Sequence, residues 1–151
     1  MFYIPLIIDK DAFEKSQTNV NISELPLDLG NEEIILVAED DNINFKLIEK
    51  LLKIYNFKVI RAKDGLEAVD VFKSNPEIDL IFMDIKMPNS NGYDAFEAIR
   101  KLDKDIPIIA QTSYSFPEEV DKIMKLGFND FISKPLDKER LYQLVKKYFN
   151  K

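Results

Sequence analysis

Short, strongly apolar runs recur along most of the chain: Ile34 to Ala38, Phe57 to Ala62, Ile78 to Met83, Ile106 to Ala110 and Asp130 to Ser133. Their brevity and their richness in Ile, Val and Leu predict strands buried on both faces. Between them the apolar positions change to helical spacing. Leu47, Ile48, Leu51 and Leu52 form one such set, followed by Ala68, Val69 and Phe72, then Ala95, Ile99 and Leu102. Val120, Ile123 and Met124 form the next, and Leu141, Leu144, Val145 and Tyr148 the last. Each set predicts an amphipathic helix with one buried stripe. Strand and helix alternate five times in about 120 residues, the pattern of right-handed crossovers around a parallel sheet. The expected architecture is a flavodoxin-like, doubly wound α/β fold with a five-stranded sheet in the order 2-1-3-4-5 and five helices.

The polar residues that end these runs carry the chemistry. Glu39 and Asp40 follow the first run, Asp84 the third, Thr112 the fourth and Lys134 the fifth. In an open parallel sheet all of them meet at the carboxyl edge, where ligands bind in the crevice at which strand order reverses. Three carboxylates about 5 Å apart repel by roughly 3 kcal/mol per pair at an effective dielectric near 20. A cation is therefore expected among Glu39, Asp40 and Asp84, with Lys134 as a second, fixed positive charge.

Composition narrows what that cation can be. The chain has neither His nor Cys, so imidazole and thiolate sites, disulfides and a histidine base are all excluded. Oxygen ligands favour Mg²⁺, with Mn²⁺ or Ca²⁺ as alternatives. With 21 basic against 27 acidic residues the net charge is -6, which argues against nucleic-acid or direct membrane binding.

Residues 1–32 differ in character from the rest. Phe2 to Ile8 is apolar but broken by Pro5, too short to span a membrane, and no basic lead-in precedes it. Asp9 to Glu33 is polar and reads as a linker, so a segment over 1–32 precedes one domain over 33–151. A cytoplasmic location, or the cytoplasmic part of a membrane-bound protein, is expected.

A carboxylate beside a divalent ion, a lysine and a hydroxyl suits the receipt of a phosphoryl group, which needs in-line positioning and charge neutralisation above all. Asp84 is the expected nucleophile, already ionised at neutral pH and able to form an aspartyl phosphate. Lys134 and the Thr112 hydroxyl would hold phosphoryl oxygens.

The stretches IILVAEDDNIN, IDLIFMDIKMPNSNGYD, IPIIAQTSYS and NDFISKPLDKERL together resemble a response-regulator receiver domain of a two-component system. The resemblance implies that Glu39 and Asp40 position Mg²⁺, that Asp84 is the phosphoacceptor, and that the backbone carbonyl of Lys86 is a further metal ligand. It makes Thr112 the switch hydroxyl, Phe131 the switch aromatic, Lys134 the phosphate-contacting lysine and Lys134-Pro135 a cis peptide. It also implies a domain that promotes its own phosphorylation and dephosphorylation. A histidine kinase domain is the implied phosphodonor, and a histidine phosphotransfer protein a possible further partner. The face of the fourth helix, fifth strand and fifth helix is the surface expected to shift on activation and to offer a site for a homodimer. MFYIPLI resembles the end of a kinase ATP-binding domain, which would make the chain the carboxy-terminal receiver of a hybrid sensor kinase.

Some positions depart from the family pattern. Asp41 extends the acidic pair, as either an additional charge at the site or a helix cap. Phe131 lacks the hydroxyl of the more frequent Tyr, and Lys86 and Tyr114 occupy positions that influence phosphoryl lifetime. Taken singly, Asp84 also reads as a turn residue and Lys134 as a solvated surface lysine. A flavodoxin would need a Ser/Thr/Gly-rich loop where this chain is acidic, and a dehalogenase-type phosphatase an Asp-x-Asp motif that is absent. A receiver-like module that binds partners without phosphorylation is the main alternative.

Overall fold

The computed structural model describes residues 33–113 and 116–149; the segment 1–32 and Tyr114 lie outside the described residues. Chain order is β1 (Ile34–Ala38), α1 (Asn42–Ile54), β2 (Lys58–Ala62), α2 (Gly65–Ser74), β3 (Leu80–Asp84), α3 (Gly92–Leu102), β4 (Ile108–Thr112), α4 (Pro117–Leu126), β5 (Asp130–Ser133) and α5 (Lys138–Phe149). All strand pairs are parallel, in the order β2-β1-β3-β4-β5. This is the flavodoxin-like arrangement that the alternation predicts.

Strand alternation divides the core into two layers. Leu36, Ala38, Ile81 and Met83 pack with Ala68, Phe72, Phe96, Ile99 and Ile123, under α2, α3 and α4. Ile35, Val37, Leu80 and Phe82 face the other way, against Phe45, Ile48, Leu52, Leu141, Leu144 and Val145 of α1 and α5. Both sheet faces are thereby covered, which is why the strands read as continuous apolar runs.

Three apolar runs begin earlier than the strands they announce, and the backbone explains each. Phe57 is buried, but its amide closes α1 by donating to the Leu52 carbonyl. Ile78 is buried with its amide bonded to the Asn75 carbonyl. Ile106 is likewise buried, yet its amide donates to Asp103 Oδ1 and its carbonyl accepts from Arg100 Nη1 at 2.6 Å. These side chains belong to the core and their backbones to loops.

The expected helical stripes need a related correction. Leu47, Leu102 and Met124 are 42%, 52% and 43% exposed, not buried. On α1 the buried stripe is Phe45, Ile48 and Leu52. Leu47, one position from Ile48, is turned about 100° off that line. Ile99 and Ile123 are the residues that α3 and α4 bury most deeply, at 0% exposure.

Side chains at the carboxyl edge start the helices. Asp41, Asp64 and Asn91 cap α1, α2 and α3 by accepting from the amides of Asn44, Glu67 and Asp94. Asp41 is therefore a helix cap, which resolves the two readings of the acidic run.

Candidate functional site

β1 delivers Glu39 to the carboxyl edge of the sheet, where its amide donates to the Ala62 carbonyl at 3.0 Å. The turn that follows places the Glu39 carboxylate fully inside the protein and leaves Asp40 exposed. β3 runs between β1 and β4 and ends on Asp84, only 3% exposed. Glu39, Asp40 and Asp84 bring carboxylate oxygens within 4.8 Å of one another. One acid of the three therefore faces solvent while two are held in the protein.

The cation that meets them comes from β5. Lys134 follows that strand, its amide bonded to the Thr112 carbonyl at 2.8 Å. Its ammonium reaches Asp84 Oδ2 at 2.7 Å and Glu39 Oε2 at 2.9 Å, with 18% of the side chain exposed. The Lys134-Pro135 peptide is cis, as expected.

Electrostatics follow from burial and from these pairs. Burial raises the Glu39 pKa above the ordinary 4.5, the Asp84 charge raises it further, and Lys134 acts in the opposite direction. For Lys134, burial pushes the ammonium down, but its bonds and charge contacts with Asp84 and Glu39 outweigh that and leave the pKa above 10.5. At neutral pH the lysine is thus held as a cation beside two inward-facing acids.

Asp84 is also fixed from its own loop. The Lys86 amide donates to Oδ1 at 3.0 Å, so each Asp84 carboxylate oxygen has a donor. Gly92 is required here for space: a Cβ would collide with the Asp84 carbonyl oxygen and lie 2.9 Å from Ile85 Cα. The Gly92 amide donates to the Ile85 carbonyl at 3.0 Å, which draws the start of α3 against the end of β3.

Whether these groups fit a divalent ion can be judged from Glu39 and Asp40. Glu39 Oε1 accepts from the Asp41 amide at 3.1 Å. Oε2 is buried and meets the Lys134 ammonium at 2.9 Å. Among the described residues no hydrogen bond or ion pair reaches the Asp40 carboxylate. Buried acids with unfilled acceptor capacity, beside an exposed acid, form a donor set of hard oxygens that fits Mg²⁺.

The remaining expected residues lie around this cluster. Thr112, 2% exposed, ends β4 and pairs in register with Ser133, beside Lys134. Phe131 lies farther down β5, opposite Ala110, half-buried against the α2–α4 side of the core. The Arg140 guanidinium of α5 lies 5.7 Å from its ring centroid and donates to its carbonyl and to Asp130 Oδ1. Lys86 is exposed at the rim.

Two contributors escaped the sequence reading. Gly92 lies within IDLIFMDIKMPNSNGYD, where nothing in the sequence singles it out. Arg61 of β2 donates from Nε to the Glu39 carbonyl and from Nη2 to the Asp40 carbonyl, both at 3.1 Å. Its only trace in the sequence is that it is one of two charges, with Lys58, in the run from Phe57 to Ala62.

Known proteins share the sequence pattern and the fold. Residues 35–146 match the model of the response regulator receiver domain. The chain is 34% identical over 143 residues, 92% of its length, to the CAI-1 autoinducer sensor kinase/phosphatase CqsS of Vibrio cholerae. It spans 21%, 7% and 13% of the lengths of three kinase relatives, and so about a fifth or less of each. The receiver domain of sensor histidine kinase PA1611 from Pseudomonas aeruginosa, crystallised with magnesium in its active-site cleft, is 28% identical with a TM-score of 0.72, covering 79% of this chain and 98% of that one. The receiver domain of Ssk1 from Saccharomyces cerevisiae, crystallised with the histidine phosphotransfer protein Ypd1, is 26% identical with a TM-score of 0.73, covering 79% and 90%. Among the described residues no helix is long and apolar enough to cross a membrane. With its parallel sheet, its carboxylate cluster and a family match spanning most of its length, the chain belongs to the response-regulator receiver family and is a phosphoacceptor module of two-component signalling.

Proposed function

We infer that Asp84 takes the phosphoryl group from a phosphohistidine. An Asp84 carboxylate oxygen forms the new O–P bond as the N–P bond breaks, and the electron pair leaves on the donor imidazole, which is then protonated. The chain has no histidine, so the donor belongs to another domain or protein. The observation that carries this reading is the Lys134 ammonium, 2.7 Å from the carboxylate of Asp84 inside a cluster of three acids.

Each residue has a part in that step. Glu39, Asp40, Asp84 and the Lys86 carbonyl would hold Mg²⁺, or Mn²⁺ in its place. When bound, the ion neutralises charge on the transferring phosphoryl oxygens. Lys134 stabilises another of those oxygens, and the Thr112 hydroxyl a third. Movement of Thr112 toward the phosphoryl group, with Phe131 following inward, shifts the population of the α4-β5-α5 face, which a partner or a second copy then reads.

Likeness to sensor kinases supports a kinase domain as donor, and the Ssk1 complex supports a histidine phosphotransfer protein as recipient. The match to the Vibrio kinase covers more of the chain than 33–149 alone, which supports reading 1–32 as the end of a kinase core and its linker, with 33–151 as the receiver. In that setting Asp84 is an intermediate station of a phosphorelay, on the cytoplasmic side.

Intact-protein mass spectrometry after incubation with acetyl phosphate and Mg²⁺ tests this reading. One phosphoryl adduct that requires the metal and disappears in Asp84→Asn is expected. An unmodified parent chain, with acetyl phosphate and with a panel of histidine kinases, would instead favour a module that binds partners without phosphorylation.

A further inference from the structure

Arg61 bonds the acidic turn from its backbone side. Its Nε and Nη2 reach the carbonyls of two consecutive residues, Glu39 and Asp40, each at 3.1 Å. Its guanidinium carbon lies 4.6 Å from the centroid of the Phe45 ring, itself buried under α1. Three further backbone groups of the turn have fixed partners: the Glu39 amide on Ala62, the Asp41 amide on Glu39 Oε1 and the Asp41 carbonyl on Phe45. The fork of Arg61 thus adds two bonds to the anchorage of the segment that presents two of the three clustered acids.

The contrast with Lys134 shows why this matters. Lys134 offsets the acids by contacting carboxylate oxygens of Glu39 and Asp84, the same atoms a metal needs. Arg61 brings its charge to the turn through carbonyls and leaves every carboxylate oxygen untouched. Repulsion among Glu39, Asp40 and Asp84 would otherwise tend to spread the turn. A planar fork with two parallel donors suits this task, and a lysine, with one charged nitrogen, does not reproduce it.

We propose that Arg61 is the positioning residue of the metal site, holding the backbone of Glu39 and Asp40 so that their carboxylates stay within coordinating distance of Asp84. The inference rests on the reading of this cluster as a Mg²⁺ site. Groups that orient metal ligands from outside the coordination sphere set affinity as well as geometry.

Calorimetric titration of the full chain with MgCl₂ tests it, comparing the parent with Arg61→Lys, Arg61→Ala and Arg100→Lys. Arg100 is a control for plain loss of a structural clamp, because it binds the Ile106 carbonyl and Asn129 Oδ1 away from the acids. Below every unfolding transition, both Arg61 variants are expected to bind Mg²⁺ about tenfold more weakly, with Arg100→Lys unchanged. Amide shifts of residues 39–41 should move in Arg61→Lys, where charge is kept and the fork is lost. Parent-like affinity in Arg61→Lys, or an equal loss in Arg100→Lys, overturns the proposal. A parent chain that binds no Mg²⁺ removes the metal site itself and is thereby distinguished from failure of Arg61 alone.

Discussion

The ammonium of Lys134 stands 2.7 Å from Asp84 Oδ2 and 2.9 Å from Glu39 Oε2, a single cation shared by two inward-facing carboxylates. Removing it in Lys134→Met leaves both acids without a counter-charge. A fully buried broken pair costs about 3–5 kcal/mol; with the lysine side chain partly exposed, a loss of about 2 kcal/mol is expected. Mg²⁺ should restore part of that stability, because it supplies the missing positive charge, while phosphoryl uptake stays at least about a hundredfold slower. Urea unfolding with EDTA or with Mg²⁺ reads the first effect and adduct formation over time the second. An unchanged urea midpoint in EDTA would remove the charge argument.

Asp40 gives a prediction of opposite sign. It is exposed, adds a third negative charge to the cluster and has no ion-pair partner among the described residues. Asp40→Asn should therefore stabilise the metal-free chain, by about 0.5–1 kcal/mol. In saturating Mg²⁺ the order should reverse, since the parent gains binding free energy that the variant has largely lost. Melting curves of both proteins in EDTA and in Mg²⁺ should cross in rank, and a variant less stable under both conditions would contradict this account.

Much of this architecture is readable from the sequence, for physical reasons that also mark where reading stops. Both sheet faces are covered, so the strands stand out as short apolar runs, β1 and β5 with the expected bounds, and Glu39, Asp84, Thr112 and Lys134 are the polar residues at the ends of β1, β3, β4 and β5. Phe57, Ile78 and Ile106 read as strand because burial alone sets the hydrophobic pattern, whereas their backbone bonds go to a helix end or a loop. Leu47 shows the same limit on a helix, where an apolar side chain beside the buried line remains 42% exposed. Arg61 was illegible because its role depends on the geometry of two carbonyls, and main-chain carbonyls leave no mark in a sequence.

Glu39 should make the stability of the metal-free protein depend on pH in an unusual direction. Burial first, then the Asp84 charge, raise its pKa above 4.5 in the folded state. A carboxyl shifted this way takes its proton first when folded, so its contribution to stability increases as pH falls through the folded value toward 4.5. Lys134 behaves differently: its folded pKa is raised above 10.5, so its contribution is complete below 10.5 and is lost only as pH rises through the folded value. In chemical denaturation, the stability difference between parent and Glu39→Gln should change between neutral pH and 4.5, with the parent gaining on the variant as pH falls. A constant difference across that window would mean that Glu39 titrates alike in both states.

Gly92 ties the acceptor loop to α3 by close approach. A methyl group there would press on the Asp84 carbonyl oxygen and on Ile85 Cα, both backbone atoms that cannot swing aside. Gly92→Ala should cost about 1–3 kcal/mol through overpacking. It should also slow phosphoryl uptake, because Asp84 is the residue displaced. Gly65 is the internal comparison, since its nearest obstacle is the Ser90 hydroxyl at 2.6 Å, a side-chain atom, and the nearest backbone atom, the Asn91 carbonyl oxygen, lies at 3.1 Å. Gly65→Ala is expected to leave uptake near the parent rate, and equal impairment of both variants would separate Gly92 from the chemistry.

Tyr93 joins α3 to α4. Its hydroxyl, on α3, donates to Glu119 Oε1 of α4 at 2.6 Å, and Lys122 Nζ lies 4.4 Å from its ring centroid. The ring also meets Phe128 edge-on at 6.2 Å, just beyond the end of α4. Burial and the bond to Glu119 hold the phenol well above its ordinary pKa of 10.0, so the bond persists through the physiological range. Tyr93→Phe keeps the ring packing and removes the bond alone, a loss of about 1 kcal/mol. Because that bond restrains α4 specifically, amide exchange over Pro117–Leu126 should accelerate about fivefold, while exchange in α1 stays at the parent rate. Mg²⁺ affinity should not change, since Tyr93 touches none of the three clustered acids. Uniform acceleration across the protein would show a global loss of stability rather than the release of α4.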